Sequence, residues 1–342
     1  GELELPVGAW IHPNAMATGF YRFALDAPLR ERLLANLRAL DATERLLVVD
    51  NEWALLRAGV VRVADHIALL RALEGEDDRV VLGVIAEQLR WLAVHVVTAL
   101  EEQAFRALVG QVFEPHLARL GWDPRPDERE DDRQLRPIAV RALGTLAAWP
   151  EVRREAAHRV AAHLGGDPQA PDLIGACIAV AAEAGDAELH ARYLARYRDV
   201  AGREPQEERR FLSALPLFED PVATEATLGA LFGGAIRDQD LPAVFFDGFR
   251  NAPARAAYWR AFRERYRERV APLEALVRHG AVSSLAQLTP PALAAEADAF
   301  LAALDEPESQ EIVARTRESL RLGADAAGRM RGELAVALTP RG

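Results

Sequence analysis

Apolar residues recur at every third or fourth position from residue 26 onward, with polar residues between them. This period is typical of amphipathic α-helices, each of which turns one apolar stripe toward a core. The pattern therefore predicts helices almost throughout residues 26–342. The clearest stripes are Leu29, Leu33, Leu37 and Leu40; Trp53, Leu56 and Val60; Leu82, Ile85, Leu89, Leu92 and Val96; and Trp259, Phe262 and Tyr266.

Glycine and proline interrupt this pattern at short intervals. The double glycines at 165 and 233 fall between predicted helices, where ending a helix is their ordinary role. Paired helices of moderate length, joined by short turns, are typical of solenoids. We therefore expect an all-α fold, a HEAT/armadillo-like α-solenoid of antiparallel helix pairs, although the sequence has no strict repeat.

The first 25 residues have a different pattern. Their apolar residues first alternate as in a β-strand, then Pro13-Asn14 and Gly19 supply turn chemistry, and a second short strand is expected after the turn. Residues 1–25 are thus predicted to be the β-strand remnant of a preceding sheet, and the chain to be a fragment of a longer protein. The alternating residues are Leu3, Leu5 and Val7.

Two helix starts and one long break can be located from side-chain chemistry. Asp26 is placed to cap the first helix, and Asp41 with Glu44 has the spacing of a capping box. Residues 123–134 are mostly charged, contain two prolines and are nearly free of apolar residues. We expect them to form a solvated loop that divides an N-terminal helical set from a C-terminal array, rather than a cation site.

Several short motifs occur in a fixed order along the chain. Together they resemble the zinc aminopeptidases of the aminopeptidase N, puromycin-sensitive and endoplasmic-reticulum aminopeptidase superfamily, at the passage from a β-sandwich domain into a C-terminal helical domain. The first motifs comprise Trp10, Pro13, Asn14, Gly19, Phe20, Tyr21, Arg22, Asp26, Arg45, Asp50, Leu55 and Gly59. Later matches are Leu120-Gly121-Trp122, Leu135-Arg136, Arg237-Asp238-Gln239-Asp240, Asn251, Arg255, Trp259 and Phe262.

The resemblance implies a division of labour within a longer polypeptide. Residues 1–25 would end the β-sandwich domain, and residues 26–342 would form a helical bowl closing over an upstream catalytic domain. The enclosed chamber would admit peptide substrates. Zinc, its ligands and the catalytic base would lie in the parent enzyme upstream of this chain.

Composition excludes some partners. The formal charge of −11 disfavours nucleic acid and anionic membranes as partners. No run of about 18 apolar residues predicts a transmembrane helix. The single cysteine, Cys177, lies in an apolar run and is expected to be an inert core thiol, which fits a cytoplasmic location. All 41 basic residues are arginine, as a GC-rich bacterial genome would produce.

The chemistry of a zinc peptidase is missing from the sequence. H-E-x-x-H, which supplies two metal ligands and a base from one helix, does not occur, nor does the G-x-M-E-N signature of the superfamily. His158 and His163 are about 140° apart around a helix, so they would not share a metal. We therefore predict no catalytic residue, no metal ligand and no cofactor in this chain.

Arginines are the candidate substrate contacts. Seven of them fall between residues 250 and 269, and a second set lies on the last predicted helix. A guanidinium pairs with a carboxylate bidentately, so these arginines could bind the C-terminal carboxylate of a peptide. The alternative is an amphipathic, solvated helix. The candidates are Arg250, Arg255, Arg315 and Arg317.

Other charged residues lie beside apolar runs, where an unpaired charge is costly. We expect structural ion pairs there, with Asp50 bound by a neighbouring arginine such as Arg22. Loss of a buried pair would cost about 3–5 kcal/mol. The residues in this set are Arg22, Arg45, Asp50, Arg237 and Asp240.

The sequence thus favours a non-catalytic C-terminal domain of a zinc-dependent aminopeptidase, closing the peptide chamber over the upstream domains. One alternative is a free-standing HEAT-like scaffold that binds a protein partner. Another is a helical enzyme with an unrecognised site. The preceding part of the open reading frame separates the first two, because only the peptidase requires H-E-x-x-H upstream.

Overall fold

The computed structural model describes residues 9–338, and over that range the chain is helical and contains no β-strand. The helices pack in pairs, which confirms the all-α, solenoid-like fold over these residues. Within residues 9–338 there are sixteen α-helices: α1 Ala27–Ala35, α2 Ala42–Ala58, α3 Val63–Ala72, α4 Arg79–His95, α5 Glu102–Leu120, α6 Glu130–Arg141, α7 Pro150–Leu164, α8 Pro171–Glu183, α9 Ala187–Val200, α10 Pro205–Ala214, α11 Pro221–Phe232, α12 Leu241–Arg250, α13 Arg255–Arg265, α14 Ala275–Ser284, α15 Pro291–Ala302 and α16 Gln310–Leu338.

The chain divides into two compact units. The first comprises residues up to 139 together with those from 328 onward, and in it α2 packs against α3 and α4. The second comprises residues 140–327, where the closest partners are α7 with α8, α9 with α10, and α12 with α13 and α14. Each unit buries its own apolar core between these helices.

The predicted helix starts are confirmed. The Asp26 carboxylate accepts a hydrogen bond from the Leu29 amide at 2.9 Å and caps α1. At α2, Asp41 accepts from the Glu44 amide while Glu44 accepts from the Asp41 amide, which completes a capping box. Both caps satisfy amides that have no partner inside the helix.

The predicted stripes form much of the core. Trp259, Phe262 and Tyr266 are buried, as are the five apolar residues of the α4 stripe. Val60 is an exception at 61% exposure. The helical period does not reach it, because α2 ends at Ala58 and Gly59 turns the chain with φ of +77°.

Two predicted segments, the β-strand remnant and the loop 123–134, differ from what the structure shows. Leu3, Leu5 and Val7 lie outside the described residues, and the second short strand expected near Phe20 is not formed. A strand needs a neighbour for its backbone groups, and residues 9–338 provide none. The predicted loop 123–134 is also shorter than expected, since α6 begins at Glu130 with three acidic residues in its first turn, where they are favourable.

Within the described residues, no helix combines the length and the apolar composition needed to cross a bilayer. Cys177 is fully buried on α8, and burial raises the pKa of its thiol to about 12.

Candidate functional site

Two of the predicted arginines lie where α12 meets α13. Arg255 is 5% exposed, and its Nε donates to the Phe249 carbonyl in the last turn of α12. This contact satisfies a helix-end carbonyl and favours a structural role over a substrate contact. Arg250 is half-buried, with its guanidinium carbon 5.2 Å from the centroid of the Phe246 ring.

Three of the arginines that follow are paired with carboxylates. Nitrogen–oxygen distances of 3.2–3.3 Å join each to an acidic side chain, and the pairs are exposed. These contacts favour the alternative interpretation of the segment, a solvated face opposite the buried aromatic stripe. The pairs are Arg260 with Glu225, Arg263 with Glu296, and Arg265 with Glu268.

The second predicted set lies on α16. Arg317 binds Asp298 through two nitrogens, at 2.7 and 3.2 Å, and Arg321 adds a contact at 3.1 Å. The hydrogen bonds from Arg317 and then from Arg321 lower the pKa of Asp298 to about 2. Arg317 is therefore occupied by an internal carboxylate. Arg315 is exposed, and among the described residues no acidic side chain forms an ion pair with it.

A groove between α10 and α12 contains a further arginine, which the sequence did not single out. The cavity has a volume of about 490 Å³, within the range of small-molecule sites. On one wall, Arg209 is exposed and stands one turn before Ser213 on α10. The lining also includes Asp240, just before α12, and Asp247 within α12.

One end of this groove is fixed by an internal charge network. The buried carboxylate of Glu208 accepts from the Gly202 amide at 2.8 Å and pairs with Arg237 at 2.6 Å. Arg237 also binds Asp240 at 2.9 Å. Because Arg237 is engaged on both sides, Arg209 is the guanidinium lining this groove that remains for a ligand, and it has no carboxylate partner among the described residues.

Arg209 could have been suspected from sequence only in part. Its spacing of four from Ser213 places both on one face of a helix. The opposite wall comes from α12, about 30 residues later in the chain, and nothing in the sequence indicates that α10 and α12 are neighbours.

The remaining predicted charges have clear partners. Arg22 lies 2.5 Å from Asp50, but the two side chains are 47% and 50% exposed, so the expected burial of this pair is wrong. Residues 18–26 form no strand that would cover it. Arg45 instead pairs with Glu76, at 2.5 and 2.9 Å, and the Glu76 side chain is 2% exposed.

A metal ion held by protein side chains needs several ligands close together. Within residues 9–338 no group of three or more histidine, cysteine, aspartate or glutamate residues is arranged to hold a metal ion. His158 lies 4.0 Å from Glu155, whereas His163 contacts Glu207 on α10.

The described residues form an all-α domain whose helices pack in pairs. A family model described as the ERAP1-like C-terminal domain matches residues 10–322, and the chain belongs to this family. It is a C-terminal domain of the aminopeptidase N family.

Named relatives agree with that assignment. The chain is similar to Aminopeptidase M1-A of Oryza sativa subsp. japonica, 26% identical over 239 residues, which cover 68% of this chain and 27% of the relative. Aminopeptidase N of Lactococcus lactis subsp. lactis is 27% identical over 233 residues, covering 66% and 27%. Aminopeptidase M1-B of rice is 25% identical over 327 residues, covering 92% and 37%. The chain thus spans well under half the length of these relatives.

Proposed function

We propose that this chain is the non-catalytic C-terminal domain of a zinc-dependent aminopeptidase and closes the peptide chamber over an upstream catalytic domain. The observation that carries the proposal is the family match over residues 10–322. Relatives named as aminopeptidases extend far beyond the matched region. The catalytic and β-sandwich domains would precede this chain in the same polypeptide, and zinc would be held there.

The complete open reading frame tests this assignment. We expect H-E-x-x-H upstream and chelator-sensitive release of N-terminal residues from peptides by the complete polypeptide. A start codon close to residue 1 would contradict it and support the free-standing HEAT-like scaffold instead.

Within this role, we propose that the domain binds the C-terminal carboxylate of a peptide. Arg255 and Arg317 are engaged by internal acceptors, and Arg250 lies against the Phe246 ring. Arg315 is the member of the predicted set that is exposed without an acidic partner among the described residues. Arg209 is the stronger candidate, because it is exposed on the wall of a groove that also offers the Ser213 hydroxyl. A guanidinium and a hydroxyl together provide the donors that a carboxylate requires.

Kinetics on the complete enzyme test the carboxylate contact. Arg209→Gln removes the charge and should raise KM for longer peptides by about tenfold, the value of one charge-assisted hydrogen bond. KM for a single-residue chromogenic amide, which has no distant carboxylate, should stay unchanged.

Arg315→Gln and Arg250→Gln are matched controls for loss of a positive charge. A selective effect of either variant, with none from Arg209→Gln, would move the contact to that residue. Equal effects of Arg209→Gln on long and short substrates would contradict carboxylate binding.

A further inference from the structure

The end of α16 belongs to a different compact unit from the rest of that helix. Residues 310–327 are part of the second unit, whereas those from 328 onward complete the first unit, whose other part ends at residue 139. Met330 and Leu334 on this end of α16 are 2% and 0% exposed. Side chains spaced by four lie on one face of a helix, so residues 328–338 have a buried apolar face. We call residues 328–338 the terminal segment.

Two arginines of the terminal segment bind the ends of two helices in the first unit. Arg329 donates to the Arg57 carbonyl, in the last turn of α2, at 2.6 Å. Arg331 donates to the carbonyl of His95, the last residue of α4, at 2.7 Å. The last carbonyls of a helix have no partner inside it, and a positive charge beside them is favourable. The terminal segment therefore satisfies carbonyls at the C-terminal ends of α2 and α4.

A carboxylate of the same segment binds the start of a third helix. Glu333 accepts from the amide of Val63, the first residue of α3, at 3.0 Å. The first amides of a helix also have no partner inside it, and a negative charge beside them is favourable. Each of the three charges thus has the sign that its helix end prefers.

A glycine makes room for one of these contacts. Gly59 ends α2 with φ of +77°, and a Cβ at this position would lie 2.9 Å from Nε of Arg329. A larger residue there would push the guanidinium away from the Arg57 carbonyl. The turn after α2 is therefore shaped to receive Arg329, although 272 positions separate Arg57 from Arg329.

We propose that the terminal segment is a clasp that controls the opening of the first unit. While it is docked, it holds the ends of α2, α3 and α4. When it is released, these helices open as a group while the second unit stays folded, in the manner of other locally unfolding parts of proteins. The chain reaches the clasp only after the whole of the second unit. The first unit therefore begins the chain but is completed last, and loss of the chain end by proteolysis would open it.

Hydrogen exchange of backbone amides in the 342-residue chain tests the clasp. Glu333→Ala removes the acceptor for the Val63 amide and should speed exchange in α3 by about fivefold, the effect of losing one helix cap. Exchange in α7–α13 should stay unchanged. Glu333→Gln keeps a side-chain oxygen that can accept the same hydrogen bond, and it should retain most of the wild-type protection.

Arg329→Met combined with Arg331→Met removes both guanidinium contacts but keeps unbranched side chains. Exchange in α2 and α4 should become about tenfold faster or more, because two charge-assisted hydrogen bonds are lost. Glu318→Ala is the matched control, since Glu318 is exposed on the part of α16 in the second unit and forms no ion pair among the described residues. It should leave exchange in both units unchanged.

Wild-type exchange rates in α2–α4 of these variants would overturn the clasp. Equal acceleration in both units would overturn it too, since the whole chain would then unfold rather than the first unit alone. If the double arginine variant does not fold, the comparison of Glu333→Ala with Glu333→Gln decides the question, because equal exchange in those two proteins contradicts the proposal.

Discussion

Burial decides what each carboxylate contributes in the first unit. Glu76, with its side chain 2% exposed, accepts from Arg45 and from the backbone amides of Asp77 and Asp78. Asp50 is 50% exposed and binds Arg22 in contact with solvent. An exposed pair contributes little because water and salt screen it, whereas removal of one partner from a buried pair leaves a charge without compensation.

Glu76→Gln should therefore lower the free energy of unfolding by about 3–5 kcal/mol, because it leaves Arg45 opposite a neutral amide. Asp50→Asn should lower it by no more than about 1 kcal/mol. Urea denaturation of both variants at neutral pH measures the difference. A larger loss for Asp50→Asn than for Glu76→Gln would contradict this ranking.

His66 makes the stability of the first unit depend on pH. It is fully buried beside Trp53, with ring centroids 5.5 Å apart, and neither ring nitrogen has a hydrogen-bond partner among the described residues. Burial, with a smaller contribution from the charge of Arg30, lowers its pKa from 6.5 to about 4. The folded state thus resists protonation of the ring, while the unfolded state accepts the proton near pH 6.5.

Stability contributed by His66 is present in full above pH 6.5 and is lost as the pH falls toward 4, because the unfolded state then binds more protons. Between pH 7 and pH 5 the loss should be about 2 kcal/mol. In urea titrations at pH 7 and pH 5, the free energy of unfolding should fall by about 2 kcal/mol less for His66→Phe than for the wild type. An identical pH dependence in the two proteins would show that His66 does not carry it.

At the residue scale, the sequence predicted which charged residues form a pair more successfully than it predicted whether the pair is buried. The cost of an unpaired charge beside apolar residues suggested an arginine such as Arg22 as a partner for Asp50, and the two lie together. Their exposure could not be predicted, because it depends on chain outside the motif. The partner of Arg45 was not anticipated, since Glu76 lies 31 residues further on and is brought close only by the packing of the unit.

Between elements, the contact of α12 with α13 depends on a glycine. A Cβ on Gly248 would lie 2.5 Å from the ring of Tyr258, which is fully buried. Gly229, within α11, has no atom within 4 Å of its Cβ position. A larger side chain would therefore clash at Gly248 but would find open space at Gly229.

Gly248→Ala should destabilise the protein by about 1–3 kcal/mol through overpacking. Gly229→Ala should stabilise it by up to about 1 kcal/mol, because alanine favours the helix and nothing obstructs it. Thermal and urea unfolding of the two variants provide the test. A stabilising Gly248→Ala would show that α12 and α13 are not packed as described.

Local chemistry made helix starts and buried stripes predictable, as Asp26, Asp41 and the Trp259 stripe show. Helix ends were harder, since Val60 continued the apolar period after Gly59 had already ended α2. The groove containing Arg209 was not predictable, because α10, α12 and the turns beside them line it together and the sequence does not indicate which helices become neighbours.

At the scale of the whole molecule, the family match and the greater length of the relatives both support a domain of a longer protein. The chain matches a C-terminal domain family over residues 10–322, and its relatives are named as aminopeptidases of greater length. In residues 9–338 many arginines form ion pairs with internal carboxylates, as Arg45, Arg237 and Arg317 do. The function we propose for it is a supporting role in peptide hydrolysis, with catalysis supplied by preceding domains.

The most direct measurement is hydrolysis of an N-terminal amino-acid chromogenic amide, with and without a zinc chelator, by the purified 342-residue chain and by the complete polypeptide. We predict no turnover by the chain and chelator-sensitive turnover by the complete polypeptide. Turnover by the 342-residue chain unaided would contradict the account.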